Sequence, residues 1–108
     1  MLVDPKIERN APSPAPLKRV CVIGLGFAGL PTATAIATAG HRTTGLDIDA
    51  AKVASINGGH ATSGIAAAAI APLIQNGSLT ATADAAAIAQ AEVVVISVPT
   101  PIDSNSAA

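Results

Sequence analysis

A glycine-rich hexapeptide, Gly24-Leu25-Gly26-Phe27-Ala28-Gly29, constrains the fold of this chain more than any other feature. The run before it, Val20-Cys21-Val22-Ile23, has the unbroken β-branched apolarity of a strand buried on both faces. The stretch after it, Ala28 to Ala39, is helical in composition and stops at Gly40, a residue suited to a left-handed C-cap. A G-x-G-x-x-G set between strand and helix has a mechanical reason for each glycine. Gly24 permits the tight turn out of the strand. Gly26, lacking a Cβ, lets a pyrophosphate approach the backbone, and Gly29 lets the helix lie close on the strand. Amides near Phe27 and Ala28 then face the phosphates from a helix N-terminus, where the dipole favours negative charge. Pro31 falls in the first helical turn, where a missing N–H removes no internal bond.

Beyond the hexapeptide the pattern alternates. Thr43 to Leu46 reads as a second strand closed by Asp47, and Asp49 is placed to cap a helix through Asn57, ahead of Gly58-Gly59. Ile65 to Gln75 reads as a helix that Pro72 must kink or shorten. Leu79 to Ala83 is a weaker strand, Asp84 caps a short helix to Gln90, and Glu92 to Val98 is the clearest strand in the chain. The order β-α-β-α-α-β-α-β implies a parallel sheet with right-handed crossovers, an α/β/α sandwich of the doubly wound Rossmann-like kind. With 108 residues there is room for about four strands, roughly one half of a complete dinucleotide-binding unit. Residues 1–17, with Pro5, Pro12, Pro14 and Pro16, read as an extended, mobile leader, and 104–108 as a tail without structural signal.

Composition excludes several classes. Half of the residues are apolar, 12% are charged and the net charge is −1, so neither disorder throughout nor electrostatic attraction to nucleic acid is expected. No apolar run reaches the ~20 residues of a membrane span. The N-terminus has no signal-peptide core, and the single cysteine cannot form an internal disulfide, which together point to a reducing cytoplasm.

The acidic residue ending the second strand narrows the ligand. Asp47 lies close to the ~20-residue spacing of a ribose-binding carboxylate. It can accept two hydrogen bonds from an adenosine ribose and repels a 2′-phosphate, favouring NAD over NADP; the alternative is a helix-capping or turn aspartate. Lys52, a helical turn later, suits either the ribose edge or a solvated surface. In a sheet ordered 3-2-1-4, Ser97-Val98-Pro99-Thr100-Pro101 follows the strand beside the first. Thr100 then faces the crevice at the topological switch point, unless the two prolines only terminate the strand. Cys21, between valines, reads as a small buried hydrophobe, and His41 as a loop residue. His60 has no second ligand at metal spacing, so no metal site is expected. No pair of residues combines nucleophile and base, so no catalytic residue is assigned.

VCVIGLGFAGLP, then GLDIDAAKVASIN, then EVVVISVPTPID resemble the N-terminus of the UDP-sugar 6-dehydrogenases, the family of UDP-glucose and UDP-N-acetylmannosamine dehydrogenases. The likeness runs from Lys18 to Asp103, and GLPTATAIA leans toward the N-acetylmannosamine branch. It implies an NAD-binding domain over 18–103, with Gly24 to Gly29 on the pyrophosphate and Asp47 and Lys52 on the adenosine side. Val98, Pro99 and Thr100 would line the cofactor. The family oxidises a UDP-sugar primary alcohol to a carboxylate in two hydride transfers to NAD, through a thiohemiacetal on a downstream cysteine that Cys21 does not match. The resemblance therefore implies that the chain ends before the catalytic and UDP-sugar-binding domains and is inactive alone, while its full-length parent is a homo-oligomeric enzyme. The segment 58–71 departs from the family, lacking its acidic, proline-containing stretch, at a place expected to be remote from the glycine motif. Two alternatives stand beside this reading: a free-standing NAD-binding module without chemistry, and a β-hydroxyacid-type dehydrogenase, which the VPTP loop disfavours.

Overall fold

The computed structural model describes residues 17–97. Four strands, β1 (Arg19–Ile23), β2 (Arg42–Leu46), β3 (Leu79–Thr82) and β4 (Val93–Ile96), form one sheet in the order β3-β2-β1-β4, with every pairing parallel. This is the Rossmann-like α/β arrangement expected from the alternation of strands and helices. The connections carry α1 (Gly29–Thr38) between β1 and β2, and α2 (Ala50–Asn57) with α3 (Ala67–Gln75) between β2 and β3. A 3₁₀ segment, Ala85–Gln90, leads into β4.

Register assigns the two faces. Val20, Val22, Leu79 and Ala81 point to the side where α1, α2 and α3 pack on one another and on the sheet. There they meet Leu30, Ala33, Ala37, Ile56 and Ile70 in a single core. Burying Leu30, Ile56, Ile70 and Leu79 fully contributes about 1.5–3 kcal/mol each before the entropy of ordering them is set against it. Ala33 and Ala37 make the close approach of α1 feasible. Cys21 and Thr44 face the other side, where Ala87 and Gln90 of the 3₁₀ segment and Ala91 just after it line a small hollow over them. Cys21 is buried, which pushes its thiol pKa up and keeps it unreactive.

Boundaries follow the capping chemistry. Asp49 caps α2, its Oδ1 accepting from the amides of Ala51 (3.0 Å) and Lys52 (3.1 Å). Gly40, with φ +105°, ends the turn after α1 in the left-handed region. α3 begins at Ala67 rather than Ile65 and carries Pro72 inside it. The element after Asp84 is 3₁₀ rather than α, with Asp84 accepting from the Ala86 amide at 2.9 Å. β4 is shorter than EVVVISV suggested, and its Val93, Val94 and Ile96 are exposed. Its apolarity is that of a strand covered on both faces, whereas among the described residues three of its four side chains are left exposed.

β3 forms the opposite edge of the sheet and is held by a side chain in place of a fifth strand. Asn57, the last residue of α2, accepts from the Ala81 amide through Oδ1 and donates to the Ala81 carbonyl through Nδ2, both at 2.8 Å.

Candidate functional site

The carboxyl ends of β1, β2 and β4 converge on the glycine turn. Gly24 leaves β1 with φ +93°, a conformation that a side chain strains, and its amide donates to the Leu46 carbonyl at 2.8 Å. Leu25 then turns inward. Its side chain is buried against β2, where a Cβ on Gly45 would lie 2.6 Å from Leu25 Cδ2. A side chain on Gly45 would thus expel Leu25 from the core.

The remaining two glycines of the motif differ in kind. A Cβ on Gly29 would overlap the Gly24 carbonyl oxygen and press on Ser97 Cβ at 3.3 Å, so Gly29 is required by the packing of α1 against β1 and β4. A Cβ on Gly26 would meet nothing within 4 Å, and Gly26 does not adopt a positive φ. Nothing in the packing or backbone of the described residues requires glycine there. A group outside the protein that comes against the backbone at this point would.

The amides around Gly26 support that reading. Among the described residues, the N–H groups of Gly26, Phe27, Ala28 and Gly29 donate to no protein acceptor, and the first amide of this turn to be satisfied is that of Leu30, bonded to the Gly26 carbonyl at 3.1 Å. Ala28, at the N-cap of α1, supplies no capping side chain. Four open amides at a helix N-terminus form an anion cradle. Phe27 stands beside them with 83% of its surface exposed.

Asp47 faces this cradle from the end of β2. Its Oδ2 accepts from the Leu25 amide and its Oδ1 from the Asp49 amide, each at 2.9 Å. Capping of α2 belongs to Asp49, so Asp47 is not its helix-capping aspartate. The bond from the Asp49 amide to Asp47 Oδ1 is that of a turn aspartate and leaves Oδ2 toward the glycine turn. Lys52 Nζ lies 3.6 Å from Asp47 Oδ2, with both side chains largely covered, so Lys52 is turned toward the site rather than out to solvent. Partial burial pushes the Asp47 pKa up. Donation by the Asp49 and Leu25 amides and the nearby Lys52 ammonium outweigh this, and hold the carboxyl below its ordinary value of 3.8. Two carboxylate oxygens offer about four acceptor positions; two amides occupy two of them, which leaves room for vicinal hydroxyls. Ile48, next along the chain, is 95% exposed, an apolar side chain with no packing role in the fold.

β4 lies beside β1, so its carboxyl end reaches the switch point, where Ser97 donates its amide to the Ile23 carbonyl at 2.8 Å. Val98, Pro99 and Thr100 lie outside the described residues. A cleft lined by Lys18, Arg19, Arg42, Ser78 and Glu92 opens at the opposite end of the sheet, away from the carboxyl ends where open α/β sheets take ligands.

Sequence reading misplaced one segment. Residues 58–71 are not remote from the glycine turn. Thr62 and Ile65 exchange backbone hydrogen bonds at 3.1 and 2.9 Å around a two-residue turn, and Ser63 Oγ within it donates to the Leu25 carbonyl at 2.9 Å. The Ser63-Gly64 pair between Thr62 and Ile65 was the available signal, a dipeptide typical of tight turns.

A parallel α/β sheet with a glycine turn at its switch point, open amides above it and a carboxylate at the end of the neighbouring strand defines a dinucleotide-binding domain. The sequence profile described as "UDP-glucose/GDP-mannose dehydrogenase family, NAD binding domain" matches residues 18–108. The chain belongs to this family, through its NAD-binding domain, and NAD is its cofactor. Curated relatives include UDP-N-acetyl-D-mannosamine dehydrogenases of Methanococcus aeolicus, 44% identical over 43 residues (40% of this chain, 10% of the relative), and Methanocaldococcus jannaschii, 45% identical over 51 residues (47% and 11%). Among solved structures, the GDP-mannose dehydrogenase of Pseudomonas aeruginosa superposes with TM-score 0.69 at 31% identity, covering 77% of this chain and 20% of that one. The UDP-D-ManNAc dehydrogenase of Pyrococcus horikoshii gives 0.70 at 32%, with the same coverage. The chain thus spans about a tenth of the curated relatives' length and about a fifth of the solved chains.

Proposed function

We propose that this chain is the cofactor-holding part of an NAD-dependent UDP-sugar 6-dehydrogenase acting in the cytoplasm, an oxidoreductase whose full-length form is a homo-oligomer. The observation that carries the cofactor half of this reading is the geometry at Gly26, where, among the described residues, no packing requires glycine and four amides have no acceptor. In this reading Gly24 to Gly29 cradle the pyrophosphate, the N–H groups of Gly26 to Gly29 supplying hydrogen bonds and the helix end its partial positive charge. Asp47 accepts from the adenosine ribose hydroxyls. Lys52 holds the Asp47 carboxylate in place and borders the same ribose. Ile48, exposed beside Asp47, offers an apolar wall to the base. Val98, Pro99 and Thr100 line the cofactor from the switch point. NAD, when bound, supplies the hydride acceptor for oxidation of the sugar's primary alcohol.

The names of the curated relatives support the UDP-sugar and favour its N-acetylmannosamine form. None of the residues assigned to the site is a nucleophile or general base, so this chain alone is proposed to bind cofactor without turnover.

Asp47→Ala tests the ribose assignment. It removes two hydrogen-bond acceptors and the charge that repels a 2′-phosphate. NAD affinity should fall about tenfold or more while NADP affinity falls less or rises, as read by calorimetric titration of both. Unchanged affinity for both cofactors would remove Asp47 from the site.

A further inference from the structure

Leu25 is held at both of its backbone groups, its N–H in the Gly24–Leu25 peptide and its carbonyl in the Leu25–Gly26 peptide. Asp47 takes the Leu25 N–H, and Ser63, 38 residues along the chain, donates its hydroxyl to the Leu25 carbonyl. The turn that delivers Ser63 is built for the purpose at some conformational cost. Ser63 has φ +49°, the only positive φ on a non-glycine residue among the described residues, and Gly64 follows at φ +81°. Positive φ at both central positions is the pattern of a type I′ turn. A Cβ on Gly64 would sit 3.5 Å from the Phe27 ring, so the turn that carries Ser63 runs close beside the glycine motif.

In a planar trans peptide the C=O and the next N–H point in opposite directions. By drawing the Leu25 carbonyl to itself, Ser63 turns the Gly26 N–H away, to the side where that amide has no protein acceptor among the described residues. We propose that Ser63 is a positioning residue for the cofactor's pyrophosphate: its hydroxyl fixes the Leu25–Gly26 peptide so that the Gly26 amide is already aimed at the anion. This rests on the NAD reading above and adds a residue outside the glycine motif to it. Without the hydroxyl the peptide can rotate, and the amide must be reoriented each time an anion binds.

Ser63→Gly separates this role from a structural one. Glycine accepts φ +49° without strain, so the fold keeps its turn and loses only the hydroxyl. Ser63→Ala serves as the second variant. The probes are NAD, ADP (adenosine with the pyrophosphate) and adenosine alone, titrated by NMR into the ¹⁵N-labelled chain, with urea unfolding run in parallel. In both variants affinity for NAD and ADP should fall about 3- to 10-fold while adenosine binding stays unchanged. The urea midpoint of Ser63→Gly should fall only slightly below that of the parent, relief of the positive φ offsetting part of the lost hydrogen bond. Wild-type affinity for ADP in Ser63→Gly, or equal loss of ADP and adenosine, overturns the positioning role and leaves the NAD reading standing. A parent chain that takes neither NAD nor ADP overturns both.

Discussion

Gly29 and Gly26 are the same residue type in the same motif, held for opposite reasons. Gly29→Ala drives a methyl into the Gly24 carbonyl, where backbone on both sides leaves nothing to yield. It should cost about 3 kcal/mol or more of stability, read as a lowered urea midpoint; a loss of under 1 kcal/mol would show that α1 can retreat from β1. Asp47 works through its charge, and its effect on stability has a definite sign. Its folded pKa lies below its ordinary 3.8, so its contribution is complete above 3.8 and is lost as pH falls through the depressed folded value. The parent chain should therefore lose more stability in that acid range than Asp47→Asn does, measured by thermal unfolding between neutral and strongly acid pH. Parallel curves would mean that the amides of Leu25 and Asp49 do not favour the ionised carboxyl. Motif, spacing and charge made these residues readable in sequence, because each acts over a few neighbours along the chain or at a spacing the fold class dictates. Ser63 was not readable that way: its partner is 38 residues distant, and only the folded chain brings the hydroxyl to Leu25.

At the scale of elements, strand and helix order followed from β-branched runs alternating with alanine-rich stretches, and the sheet order β3-β2-β1-β4 is the one a dinucleotide-binding sheet takes, to which the glycine motif pointed. What the sequence left imprecise has physical causes. Six residues, AAAIAQ, are too few for a stable α-helix between Asp84 and β4, and the tighter 3₁₀ form takes their place. EVVVISV carries the apolarity of a covered strand, which says what such a strand prefers to face and not what faces it here. The clamp on β3 was also invisible, since an asparagine at a helix end reads as a terminator. Asn57→Ala leaves the Ala81 amide and carbonyl without their side-chain partners at the sheet edge. A loss of about 1–3 kcal/mol in urea unfolding is expected, with NAD affinity changed little. A stability change within about 0.5 kcal/mol would mean that water replaces the clamp at no cost.

For the whole molecule, the division of labour is between a core on one face of the sheet and a binding edge at its carboxyl end. α1 belongs to both: its Ala33 and Ala37 lie in the core while its N-terminus carries the open amides. In the proposed function, that shared helix is what lets a domain of this size present a dinucleotide site at the sheet's carboxyl edge. Gly26→Ala tests this division most directly, because its methyl enters space that no atom of the described residues occupies. NAD titrated calorimetrically into the folded variant and the parent should show affinity reduced about tenfold or more, with the urea midpoint shifted by no more than about 1 kcal/mol. NAD binding equal to the parent's would contradict the account, since the space above Gly26 would then not be where the pyrophosphate lies.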